Sequence, residues 1–161
     1  MASEVLRQVT ENYRFIWLGD GSLRELAMDY AWQLGIHQSV TFEGFIEETD
    51  SYYQSSDLYL HLASVEPMSN ALIDALRHGL PTIASDAGGN SEAVLDGVNG
   101  YLVGLESPSF AASRITEVLS DSEKYSNFSS SAARIFEERF ARTKMESTFL
   151  EYMNRVEEAL D

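Results

Sequence analysis

Hydrophobic positions divide the chain into two styles. In the first hundred residues, short apolar runs alternate with stretches that carry an apolar residue every three or four positions. Phe15–Leu18 is a four-residue apolar run ending in Gly19-Asp20-Gly21, a turn signal. Val40–Phe42, Leu58–Ala63, Pro81–Ser85 and Tyr101–Val103 are further strand-like runs. Between them lie helical patterns. One covers Glu4–Asn12. Ser22 is placed to cap a helix to about Leu34, with Leu23, Leu26, Ala27, Tyr30 and Leu34 on one face and Gly35 at the C′ position. Thr49–Ser55 reads as a short helix. Ser69 is placed to cap a helix from Asn70 to His78, which Gly79 and Pro81 then stop. Ala87–Asn90 reads as a loop. From Pro108 onward the pattern is helical. Phe110, Arg114, Ile115, Val118 and Leu119 suit one helix, and Glu123 to Phe140 a second. Met145, Phe149, Tyr152, Met153, Val156 and Leu160 form a stripe on a third, read most simply as core. Short apolar strands alternating with helices predict a parallel sheet covered on both faces. The expected fold is a Rossmann-like, doubly wound α/β domain with a helical C-terminal extension. It forms one domain over 1–161, with the sheet region in 1–120 and C-terminal helices in 121–161.

Charge narrows the function classes. The 161 residues hold 11 Lys and Arg against 26 Asp and Glu, a net charge of −15. Before residue 120 the only basic residues are Arg7, Arg14, Arg24, Arg77 and Arg114, and the first lysine is Lys124. Such a field repels nucleic acid and anionic lipid, so neither is an expected partner. With no cysteine, disulfides, thiolate metal sites and a cysteine nucleophile are excluded, and a cytoplasmic location is expected. No apolar run approaches the roughly 20 residues of a membrane span, and Met-Ala-Ser-Glu does not read as a signal peptide. His37, His61 and His78 lack metal-ligand spacing, so no metal site is expected. His61 reads as a core histidine.

In a doubly wound sheet, ligands bind beyond the carboxyl ends of the strands. Four loops follow the candidate strands there: Gly19–Gly21, Glu43–Ile46, Ser64–Asn70 and Asp86–Glu92. Glycine permits close approach of the backbone, and helix starts offer free N–H groups. Carboxylates accept hydrogen bonds from hydroxyl donors. Together these features suit a phosphorylated, hydroxyl-rich ligand.

The run from Ser64 to Glu92 (SVEPMSNALIDALRHGLPTIASDAGGNSE) resembles the donor-binding signature of retaining GT-B glycosyltransferases of the "glycosyl transferases group 1" family. The flanks Gly19-Asp20-Gly21, Val40–Ile46 and Asn99–Val103 agree with it, and the likeness covers roughly residues 13–120. The resemblance implies that the chain is half of a GT-B fold and binds a nucleoside diphosphate sugar as substrate, with no cofactor. Glu66 takes the catalytic position, against hydroxyls of the donor sugar. Backbone amides near Ser69, Asn70 and Ala71 hold the diphosphate. Asp74 holds the ribose diol, and Phe45 and Ile46 lie beside the nucleobase. Gly88, Gly89 and Asn90 lie close to sugar and phosphates, and Gly19 and Gly21 form the cleft wall.

Two departures from the family pattern carry consequences. Asp74 stands where the family has Glu, one methylene shorter, or about 1.5 Å. The family's opening strand, with the Arg and Lys that neutralise the diphosphate, has no counterpart, and neither has the N-terminal acceptor-binding lobe. Weak nucleotide binding and no transferase turnover by this chain alone are therefore expected. The omitted strand would lie between those ending at Leu18 and Ala63. Either these two strands pair directly, or another copy fills the gap in a homo-oligomer through the unpaired edges, or the chain is a fragment with unusual packing. Two other functions are open at this point. One is a non-catalytic interaction scaffold, in which Asp74 simply pairs with Arg77 or His78. The other is an NAD-binding domain, suggested by Gly19-Asp20-Gly21 and Glu43 but lacking the third glycine, whose place Arg24 takes.

Overall fold

The five apolar runs become strands, because a strand buried on both faces needs apolar side chains at consecutive positions. The computed structural model describes residues 2–9, 13–65 and 67–158. Helix α1 (Ala2–Val9) is followed by β1 (Phe15–Leu18), α2 (Arg24–Gln33), β2 (Val40–Gly44), α3 (Asp50–Gln54) and β3 (Tyr59–His61). Then come α4 (Asn70–Arg77), β4 (Thr82–Ser85), α5 (Asn90–Ala93) and β5 (Gly100–Val103). Helices α6 (Pro108–Ser120), α7 (Ser122–Ile135) and α8 (Arg142–Glu158) complete the chain, with a π-helical turn at Phe136–Phe140. All pairings are parallel, as expected for βα alternation.

The sheet comes in two parts. β1 pairs only with β2, and β3, β4 and β5 form a second sheet in that order. β1 and β3 do not pair directly, so the first of the three sequence expectations for these strands is not met. Side chains nevertheless join the two sheets. Val5 and Val9 of α1 pack with Ile83, Val103, Ala111 and Ile115 under the larger sheet. Leu6, on the same helix, packs with Ala31, Ile36 and Val40 under the smaller one. Phe15 of β1 and Leu60 of β3 both touch that second cluster. Helix α1 thus bridges one face of the pair.

The core follows the strand pattern. All four residues of β4, which is flanked on both sides, are buried. Leu72 and Leu76 of α4 pack beneath it with Ala84, Val94 and Ile135. Each such aliphatic side chain contributes roughly 1.5–3 kcal/mol on burial. Ser69 caps α4 as its position predicts: its Oγ accepts from Leu72 N at 3.3 Å, worth about 1 kcal/mol.

Five expectations need correction. On α2, Leu23, Leu26 and Tyr30 are exposed, and the buried position is Ala31. The helix lies close to β2 on its small residues, which turns the bulky ones outward. Leu23 rather than Ser22 precedes the first turn, with no side-chain cap. The 87–90 stretch is not all loop, since Asn90 starts the one-turn helix α5. The stripe on α8 is not core, because no residue of that helix is buried. Met145, Phe149, Tyr152 and Met153 face solvent, and Leu160 lies outside the described residues. The long helix expected to Phe140 ends as α-helix at Ile135. There Ala141 N donates to Phe136 O at 2.9 Å across five residues, which widens the last turn.

Candidate functional site

The strand ends place the four loops on one rim, where they fall into two groups. In the first, Gly19 N donates to Gly44 O at 2.7 Å, tying the glycine turn to the end of β2. Gly19 has φ +116°, a conformation that favours glycine. Asp20 Oδ1 accepts from Gly21 N at 2.8 Å and closes that turn. Beyond Gly44, Phe45 is 77% exposed and Ile46 is half-buried. The Phe45 ring therefore stands free on the rim.

The second group is built on β3 and β4. Ser85 Oγ donates to Ala63 O at 2.5 Å and joins the two strand ends. Asn90 is fully buried, and its Nδ2 donates to Ser85 O at 2.9 Å. Its Oδ1 is buried with no partner among the described residues. Gly89 is buried against the Pro67 carbonyl, where a Cβ would lie 1.9 Å from the oxygen. These contacts bring Gly88, Gly89 and Asn90 to the loop that leads into α4. Ser69 is buried, Asn70 is exposed and Ala71 is half-buried, so the start of α4 opens to solvent at Asn70. Unpaired N–H groups and a partial positive charge are expected there. Glu66, the expected catalytic residue, lies outside the described residues.

Asp74 sits one turn further along α4, away from that opening. Its Oδ1 lies 3.5 Å from Arg77 Nε, and Arg77 in turn reaches Asp50 Oδ1 at 2.5 Å. His78 Nε2 is 3.4 Å from the same Asp50 oxygen. Partial burial works to raise the Asp50 carboxyl, but hydrogen bonds from Arg77 and His78 outweigh it and hold the group below its ordinary value. The surface pairing foreseen as the alternative role of Asp74 is thus present. Such exposed pairs contribute little to stability. Asp74 also faces Tyr53, whose Oη donates to Ala71 O at 3.1 Å. Burial, and then the Asp74 charge, push the Tyr53 hydroxyl up to about 12.

Sequence reasoning missed three residues at this rim. Tyr53 supports the start of α4 from α3, and Ser85 joins the strand ends. Both act across the tertiary structure, so no local pattern marks them. The third is Arg24, which donates from Nη2 to Phe42 O at 3.1 Å and carries a buried Nε with no partner among the described residues. It places a cation beside the first loop group. Its scarcity was a signal, since only five basic residues precede Lys124. Tyr59 Oη lies 3.2 Å from His61 Nδ1, and His61 is half-buried on β3. Two cavities lie elsewhere. One of about 330 Å³ opens between Gly97 and Lys124, and an apolar one of about 120 Å³ is lined by Trp17, Tyr30 and Phe42. Among the described residues no group of three His, Asp or Glu is placed to hold a metal ion. No helix among them is long and apolar enough to cross a membrane.

Residues 1–135 match the family model described as "Glycosyl transferases group 1". The chain is 32% identical over 140 residues to spore coat protein SA of Bacillus subtilis, covering 83% of this chain and 37% of the relative. It is 34% identical over 90 residues to the Vi polysaccharide biosynthesis protein VipC/TviE of Salmonella typhi, covering 56% of this chain and 16% of that protein. Among solved structures it superposes on Anabaena HepE in complex with UDP, with a TM-score of 0.87 and 26% identity. That match covers 95% of this chain and 44% of HepE. HepE has also been solved with UDP-glucose, and that structure matches with a TM-score of 0.85. The chain spans less than half the length of each of these proteins.

Proposed function

The chain belongs to the glycosyl transferases group 1 family and has the fold of a GT-B glycosyltransferase C-terminal domain, and from that premise we propose that it holds the nucleotide-sugar donor of such an enzyme. The observation that carries this reading is the second loop group, where Gly88-Gly89 is wedged against Pro67 beside the open, Ser69-capped start of α4. There the amides of Ser69, Asn70 and Ala71 meet the diphosphate of the donor. Gly88 and Gly89 let the backbone approach the sugar, and Glu66 accepts from its hydroxyls. Phe45 and Ile46 flank the nucleobase on the other loop group, near the Arg24 guanidinium. The leaving diphosphate gains preorganised dipoles and needs neither cofactor nor metal. The complete enzyme transfers the sugar, with retention of configuration, to a glycan or lipid-linked acceptor. The acceptor is bound by a lobe outside these 161 residues, so this chain alone does not turn over.

Asp74 favours a second reading. Its carboxylate is engaged with Arg77 rather than free for a ribose, as in a scaffold that no longer binds nucleotide. An NMR titration with UDP separates the two. Donor binding predicts millimolar affinity, about −4 kcal/mol, with shifts at Ser69–Ala71 and Gly88–Asn90. No shifts at these residues at millimolar UDP would establish the scaffold.

A further inference from the structure

Helix α2 exposes far more apolar surface than it buries. Leu23, just before its first turn, shares one face with Leu26 and Tyr30 by helical spacing, and the three are 69%, 62% and 48% exposed. Met28 and Trp32, four residues apart on another side, also reach solvent. A helix apolar on several sides is normally buried, yet Ala31 is the one buried residue among those described in α2. The exposed stripe leads into a cavity. Tyr30 and Ala27 line the apolar space of about 120 Å³ together with Trp17 of β1, Phe42 of β2 and Leu6 of α1. Trp17 and Phe42 stack with ring centroids 5.7 Å apart, and Trp17 remains 45% exposed. An apolar cavity of roughly 150 Å³ holds a benzene ring, so this one admits a single leucine- or phenylalanine-sized group. Acids flank the stripe: Glu25 and Asp29, four residues apart on α2, are exposed. The one cation of the helix, Arg24, is turned onto Phe42 O.

We propose that the apolar face of α2 docks a basic amphipathic helix of a partner protein, which sets one leucine or phenylalanine into the cavity at Trp17, Tyr30 and Phe42. Its other apolar residues pack along Leu23, Leu26 and Tyr30. Apolar side chains three and four residues apart on the partner match the spacing of that stripe, as when one helix lies along the groove of another. Lysine or arginine beside the partner's apolar face meets Glu25 and Asp29, in the field of a chain with net charge −15. The same charges argue against other occupants. A second copy laid α2 against α2 sets Glu25 and Asp29 of one molecule near those of the other. Helices that lie in a membrane surface carry Lys and Arg on their polar side, where α2 carries these two acids.

The proposal uses no residue of the donor site, so it stands or falls apart from UDP binding. The chain has two tryptophans, Trp17 at the cavity and Trp32 on α2, so their fluorescence reads the docking. The probe is a synthetic helical peptide with Leu and Phe recurring every three or four residues and Lys at all other positions. Its control has the same residues with the apolar ones scattered round the helix. The patterned peptide is expected to shift the emission to the blue and to bind about tenfold or more tighter than the control. Leu26→Ser, which leaves the charge unchanged at an exposed position, is expected to remove that preference, and Leu150→Ser on α8 to keep it. Glu25→Gln combined with Asp29→Asn is expected to weaken the patterned peptide about threefold or more. Equal affinity for the two peptides would overturn the proposal, as would a preference that survives Leu26→Ser. Unchanged affinity in the Glu25→Gln, Asp29→Asn protein would overturn the basic partner. A blue shift that grows with protein concentration alone would assign the face to a second copy. One seen with phosphatidylcholine vesicles but not with the peptide would assign it to a membrane. Either result overturns the proposal too.

Discussion

Gly89 shows how tightly two rim loops are fitted. A methyl group there would meet the Pro67 carbonyl, which is main chain and cannot rotate aside. Gly21 stands in open space, with nothing within 4 Å of a built Cβ. Gly89→Ala is therefore expected to lower stability by about 1–3 kcal/mol, while Gly21→Ala stays within about 0.5 kcal/mol. Urea unfolding of the two variants measures the difference. Both glycines are equally visible in the sequence as turn residues, but only the folded chain distinguishes them. Ser69 is the opposite case: a serine just before an apolar helical pattern announces its cap, because that bond is local. Asp74 was legible as an acid on a helix surface. Its partners were partly legible too, since Arg77 is three residues on, whereas Asp50 comes from α3.

Elements were read well where a period and its punctuation agreed. The glycines that end α2 and α4, Gly35 and Gly79, both take positive φ as their positions predict. The reading failed where packing chose among apolar residues. On α2 the large side chains suggested the buried face, but close approach to β2 selected Ala31. On α8 the stripe was real, but nothing among the described residues covers it. Between elements, Glu117 of α6 is a clamp: it accepts from Lys124 of α7, Tyr101 of β5 and Arg114 on its own helix. The Lys124 ammonium first, with Tyr101 and Arg114, lowers its carboxyl from 4.5 to about 2, against partial burial. A carboxyl depressed on folding adds stability that is fully present above its unfolded value and is lost as pH falls toward the folded one. The thermal stability of the parent chain is thus expected to fall as pH drops from about 4.5 to 2. Glu117→Gln should be less stable at pH 7 and show a shallower loss over that interval. Equal slopes in the two proteins would mean that the clamp does not contribute.

At the scale of the molecule, the class of fold was legible because βα alternation leaves few arrangements for parallel strands. The division into two sheets was legible as a problem, from the want of a strand between Leu18 and Ala63. Its resolution required coordinates, because only they show α1 spanning both halves. Naked strand margins also have a colloidal consequence. Unpaired main chain on an apolar strand is a template for self-association, and here the principal opposing force is the mutual repulsion of molecules carrying fifteen surplus negative charges. Salt shortens that repulsion to roughly 8 Å at 0.15 M and about 3 Å at 1 M. Dynamic light scattering should find dispersed particles in dilute buffer and growing ones as sodium chloride is raised, and a particle size indifferent to salt would show that charge is not what keeps the molecules apart.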